Sequence, residues 1–201
     1  VTAREKIFAA IHAALAPLPQ REPRPVVPHG VADARWLAGE PDDVALFTKR
    51  ATAVGTTVFA SAGDCLAWLF ANRAAKVYVP ESLRDVTAGF PGTVEVVGQY
   101  SRAQVDEIDA ALTPAAGAIA ESGTIILTDE STPDRLAALA PWTHIAVVRR
   151  DTIHRSLADA LAVMPDDPNI IWATGPSKTA DVEGILIQGV HGPGVQGCLL
   201  I

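Results

Sequence analysis

The spacing of apolar positions divides the chain into two parts. In "TAREKIFAAIHAALAPL" the residues Ile7, Phe8, Ile11, Ala14 and Leu15 recur at helical spacing behind Arg4, Glu5 and Lys6. This predicts an amphipathic helix whose apolar face needs a partner, on its own chain, on a second copy or on another protein. Five prolines follow between Pro17 and Pro28. Each fixes φ and lacks an N–H, so the stretch predicts a semi-extended linker. A second helix is expected from about Pro41 to Val54, where Val44, Phe47, Ala51 and Val54 share a face and Pro41 suits a first turn.

Beyond Val54 the period changes. "TTVFAS", "KVYVP", "TVEVVG", "AIAESGTIIL", "HIAVVR" and "NIIWATG" are short runs rich in Val and Ile, with the spacing of strands. "GDCLAWLFANR", "RAQVDEIDAAL" and "TIHRSLADALAVM" lie between them with helical spacing. Alternation of this kind predicts an α/β fold built on a layered, mostly parallel sheet covered on both faces. Residues 1–39 are expected to form the helix and linker, and residues 40–201 the α/β domain.

Composition narrows the function classes. A chain of 201 residues with 49% hydrophobic and 19% charged residues can fill a core; at this size about 70% of the unfolded surface is buried. Sixteen Lys and Arg against 23 Asp and Glu give a net charge of −7, which argues against a broad footprint on nucleic acid. Trp36, Trp68, Trp142 and Trp172 are not interleaved with basic residues, so no aromatic platform for bases is expected. No run approaches the roughly 18 apolar residues of a membrane span, and a cytoplasmic protein is expected. The two cysteines, Cys65 and Cys198, are far apart, and the five histidines, His12, His29, His144, His154 and His191, are scattered. Neither a thiolate zinc site nor a cysteine-ligated cluster can be assembled from this chain alone, and no metal or other cofactor is expected on it.

Three stretches carry candidate chemistry. In "GAIAESGTIILTD" two apolar runs are interrupted by Glu121, Ser122, Gly123 and Thr124. A buried carboxylate needs a partner, so an inward Glu121 would pair with Lys178, an arginine or a ligand and could act as general base or nucleophile. The competing reading is a turn with Gly123 at positive φ and the acid in solvent. In "IIWATGPSKTADVEG" a strand ends at Gly175, Pro176, Ser177, Lys178 and Thr179, ahead of an expected helix carrying Asp181 and Glu183. The phosphate-loop pattern G-x-x-x-x-G-K-[ST] is not met. Ser177 or Thr179 at a helix start would still place free N–H groups beside the Lys178 ammonium, a cradle for a phosphate or carboxylate; alternatively these are an ordinary cap and a solvated lysine. In "IQGVHGPGVQG", His191 is a candidate proton shuttle or anion donor. A glycine-rich turn returning "CLLI" to the sheet explains the same residues without chemistry.

"AIAESGTIILTDE", "RLAALAPWTHIAVV" and "TGPSKTADVEGILIQGVHGPG" together resemble the signature of the LUD family, within which the chain is most similar to the smallest member of a three-protein system. The resemblance implies a fold similar to the NagB/RpiA/CoA-transferase group. It also implies a non-redox subunit or accessory protein working beside two iron–sulfur proteins that oxidise L-lactate to pyruvate. Glu121, Ser122 and Gly123 have a passing similarity to the acyl-accepting glutamate of CoA-transferases, which implies the alternative of an acyl-transfer enzyme with Glu121 as nucleophile. Catalysis by the isolated chain stays open. The expectation is that "ESGT" and "GPSKT" wall one pocket for an anionic small molecule.

Overall fold

The computed structural model describes residues 1–17, 39–90, 94–164, 166–180 and 184–201. The expected linker beyond Pro17 lies outside the described residues, as do Asp181 and Glu183. The chain divides into two compact units, Val1–Ala32 and Asp33–Ile201.

In the first unit, helix α1 (Ala3–Leu15) starts on a reciprocal cap. The Thr2 hydroxyl accepts from the Glu5 N–H at 3.3 Å, and the Glu5 carboxylate accepts from the Thr2 N–H at 2.6 Å. None of its residues is buried, and Ile7, Phe8, Ile11 and Leu15 are all exposed.

The second unit is built on six parallel strands in the order β1-β12-β7-β4-β2-β3. They are β1 (Thr57–Phe59), β2 (Lys76–Tyr78), β3 (Glu95–Val97), β4 (Ala110–Pro114), β7 (Thr143–Val148) and β12 (Val195–Leu200). Helix α2 (Asp43–Ala53) precedes β1, and its N-cap Asp42 accepts from the N–H groups of Val44 and Ala45. Helix α3 (Ala62–Ala71) is capped by Ser61 and buries Cys65 and Leu69 against Phe59, Val77, Leu112 and Ile145 on one face of the sheet.

The other face is covered by a second sheet. Strands β5 (Gly117–Ile119), β6 (Thr124–Thr128), β8 (Ile153–His154) and β9 (Ile170–Ala173) pair in the order β8-β5-β6-β9. The β5–β6 and β6–β9 pairs are antiparallel. A parallel connection needs a dozen or more residues, and the short turn between Ile119 and Thr124 permits only an antiparallel hairpin. Leu46, Phe47 and Ala51 of α2, Ile125 and Leu127 of β6, and Ala146, Val148, Cys198 and Leu200 of the parallel sheet form the core between the sheets. Each such aliphatic side chain contributes about 1.5–3 kcal/mol by leaving water. Helix α5 (Leu157–Val163) closes the far side of the second sheet, where Ala160 meets Ile119 and Ile126.

One expected helix is absent, and one expected helix start is a strand. In "RAQVDEIDAAL" only Arg102–Glu107 turns, as a 3₁₀ helix, and Ala110 onward is the buried strand β4. The Asp109 carboxylate accepts from the N–H groups of Ala75 and Lys76 at 2.8 and 2.9 Å, which pins the strand start beside β2. The helix start expected at Ser177 or Thr179 is strand β10 (Lys178–Thr179), paired antiparallel with β11 (Ile187–Gln188). Helix α4 (Arg135–Leu139), before β7, was not foreseen from the pattern.

Candidate functional site

The interruption in "GAIAESGTIILTD" is the hairpin turn between β5 and β6. Gly123 has φ +69°, and a Cβ there would lie 2.3 Å from the Ala51 nitrogen of α2. Glycine is therefore required twice over, by conformation and by the approach of the α2 backbone. Glu121 is half-buried, and its Oε1 accepts from the Leu157 N–H at 2.7 Å, at the first turn of α5. Ser122 Oγ and Thr124 Oγ1 are 2.7 Å apart, and Thr124 Oγ1 lies 2.7 Å from Thr174 Oγ1 on the loop after β9. The turn's polar side chains are thus engaged by the protein itself.

The loop after β9 is held differently. Gly175, with φ +74°, packs on the last turn of α2, where a Cβ would lie 2.3 Å from the Val54 carbonyl oxygen. Ser177 N–H donates to the Pro193 carbonyl at 2.9 Å, and Gly189 N–H donates to the Ser177 carbonyl at 2.8 Å. The backbone N–H of Ser177 is therefore not free for an anion. These bonds zip "GPSK" to "GVHGPG", and a cavity of about 490 Å³ opens beside them, at the amino ends of β7 and β12. Gly175, Ser177, Lys178 and His191 line it; Glu121, Ser122, Gly123, Thr124 and Thr179 do not. "ESGT" reaches the wall only through the Thr124–Thr174 hydroxyl contact.

The cavity lies between the two sheets, with Leu127 and Ile171 of the second sheet on one side and His144 and Gln196 of the parallel sheet on the other. Among the described residues no aspartate or glutamate lines it. Among the described residues Lys178 has no ion-pair partner, and its ammonium lies over the Gly55 turn, 3.8 Å from where a Cβ would stand. His191 is exposed at the rim. Within a chain of net charge −7, this is a recess with a cation at its mouth and no acid among its described lining residues, suited to an anion with an apolar part.

His144 and Gln196 escaped the sequence reading. His144 is 1% exposed, the second residue of β7, and directly opposite Gln196 of β12. Its Nε2 lies 2.8 Å from Thr113 Oγ1 of β4, and its Nδ1 lies within 3.2 Å of the Gln196 amide. Burial lowers its pKa to about 4, against the pull of the Gln196 hydrogen bond, so the ring is neutral at pH 7. A histidine inside the apolar run "HIAVVR" was the available signal, since a buried imidazole needs polar partners on adjoining strands.

The two cysteines are buried in separate core clusters. Desolvation pushes both thiols up to about 12. Among the described residues no group of three or more His, Cys, Asp or Glu is placed to hold a metal ion, and no helix is long and apolar enough to cross a membrane.

A parallel sheet backed by a second, mixed sheet, with the "ESGT" hairpin and the "GPSK" loop both packed on α2, makes this a layered α/β protein. Residues 67–201 match the LUD domain, and the chain belongs to the LUD domain family. Lactate utilization protein C of Deinococcus radiodurans is 37% identical over 121 residues, which are 54% of this chain and 57% of that protein. The protein of the same name from Bacillus licheniformis is 39% identical over 83 residues, 37% of this chain and 35% of its own length. In Bacillus subtilis the identity is 32% over 108 residues, 48% of this chain and 43% of that one. The chain thus spans about half the length, or less, of these relatives. The crystal structure of a DUF162 family protein from Deinococcus radiodurans is similar in fold, with a TM-score of 0.54 and 27% identity, covering 79% of this chain and 95% of that chain.

Proposed function

We propose that this protein is a non-redox subunit or accessory protein of an iron–sulfur lactate-utilization system, and that the cavity at the amino ends of β7 and β12 is its site for an anionic small molecule. Relatives named lactate utilization protein C support the first part. The second rests on one observation, that Lys178, His191 and Ser177 converge on a recess lined by no carboxylate among the described residues. Two buried, protonated cysteines in separate clusters support a role beside redox partners rather than as one of them.

Lys178 supplies the charge, His191 and Ser177 supply hydrogen-bond donors, and the neutral His144–Gln196 floor, bonded within itself and to Thr113, adds no charge. Association is tested by pull-down of the purified chain with the iron–sulfur proteins of a lactate-utilization system. Capture at stoichiometric yield is expected, and no capture of either partner would refute the subunit reading.

The acyl-transfer alternative makes Glu121 a nucleophile. That carboxylate accepts from Leu157 N–H outside the cavity, so this reading ranks second. A covalent adduct on Glu121 after incubation with an acyl-CoA would reverse the ranking.

A further inference from the structure

We propose that a second cavity, at the opposite end of the parallel sheet, binds an organic ammonium ion carried on an apolar body. Its volume is about 380 Å³, and it sits at the carboxyl ends of β2 and β4, where Tyr78 and Pro114 are the last residues of their strands. In open parallel sheets ligands collect at these ends. Pro80, Pro114, Pro133 and the Tyr78 ring provide apolar walls.

The sign of the ligand follows from which polar groups remain available. Thr113 Oγ1 is bonded to His144, Thr132 Oγ1 donates to the Pro114 carbonyl at 2.7 Å, and Ser131 Oγ is held between the N–H and hydroxyl of Thr128. A polyol would find these hydroxyls already engaged. Two exposed carboxylates, Glu130 and Asp134, also line the cavity, and among the described residues no lysine, arginine or histidine does. Neither carboxylate has an ion-pair partner among the described residues. Tyr78, 1% exposed, donates its hydroxyl to Asp134 and fixes that carboxylate at the cavity wall. Burial and the adjacent Asp134 charge raise the phenol pKa, which keeps Tyr78 a donor. Ser82 adds one exposed hydroxyl at the rim, and the only charge that remains is acceptor charge over an apolar floor, matched by a primary or quaternary amine whose body fills the walls. This cavity shares no lining residue with the anion site, so the two proposals stand or fall separately.

The test is titration of the ¹⁵N-labelled full chain with phenethylammonium, 2-phenylethanol and 3-phenylpropionate, followed by amide shifts. Phenethylammonium should shift Ser131, Thr132 and Asp134 saturably, and the neutral and anionic analogues should bind at least about tenfold more weakly. Asp134→Asn, at an exposed position that leaves the core intact, should weaken the amine about tenfold, and Tyr78→Phe should weaken it less. If Tyr78→Phe does not fold, Asp134→Asn alone decides. Equal binding of the amine and the alcohol, or no saturable shift at about 10 mM amine, overturns the proposal.

Discussion

The Glu121–Gly123 turn and the Gly175–Lys178 loop are built alike and used differently. Each contains a glycine at positive φ pressed on the final turn of α2, Gly123 against Ala51 and Gly175 against Val54. Each carries a hydroxyl and a charged residue. In the first, the charge caps α5 and the hydroxyls form a chain to Thr174. In the second, the bonds made among the described residues are those of the backbone, while the Ser177 and Lys178 side chains line the cavity. The same residue types thus serve the fold in one place and remain available to a ligand in the other. What separates them is whether the protein itself supplies the partners.

The largest effect should come from the shared anchor. Gly123→Ala forces a Cβ to 2.3 Å from the Ala51 nitrogen at φ +69° and should cost about 3 kcal/mol or more in urea unfolding. Gly175→Ala, with its contact at 2.3 Å on the Val54 oxygen, should cost a similar amount. A loss below about 1 kcal/mol at either site would break the claim that both loops are pinned to α2.

The next effect is a pH dependence at the cavity floor. His144 has its pKa lowered from 6.5 to about 4 in the folded chain. Between these values the unfolded chain binds a proton that the folded chain refuses, so stability is full above about pH 6.5 and falls as pH drops towards 4. At pH 5 the loss should be about 2 kcal/mol. His144→Gln should abolish this part of the dependence, and an unchanged slope would remove His144 as its source.

Glu121→Gln should cost about 1 kcal/mol, the difference between a charged and a neutral acceptor for Leu157 N–H, with ligand affinity unaltered. Lys178→Ala should change stability by less than about 0.5 kcal/mol, as an exposed residue without an ion pair. Opposite results, a silent Glu121 and a destabilising Lys178, would reverse the comparison.

Much of this was legible in the chain. The strands after Val54 announced themselves by short Val- and Ile-rich runs, and the positive φ of Gly123 matches the competing reading of "ESGT" as a turn. The division into two sheets was not legible, because a buried antiparallel strand and a buried parallel strand have the same apolar run. Ala110–Leu112 was read as the end of a helix because Val105, Ile108 and Leu112 fit helical spacing, and tertiary anchoring through Asp109 overrode it. Around Ser177 the hydroxyl, lysine and following acids imitated a helix start, whereas the partner that makes Lys178–Thr179 a strand arrives only at Ile187. The candidate site was half visible. Gly175, Ser177, Lys178 and His191 meet in the cavity, but its His144–Gln196 floor depends on the register of β7 and β12, which no local pattern specifies.

The central claim is that Lys178, and not Glu121, answers to the ligand. The direct measurement is the thermal unfolding midpoint of the chain with L-lactate, pyruvate, nucleotides, NAD and CoA thioesters, repeated on Lys178→Ala and Glu121→Gln. A ligand at 100 times its Kd should stabilise the native chain by about 2.7 kcal/mol, with the shift lost in Lys178→Ala and kept in Glu121→Gln. A shift that survives Lys178→Ala, or that vanishes with Glu121→Gln, would contradict the account.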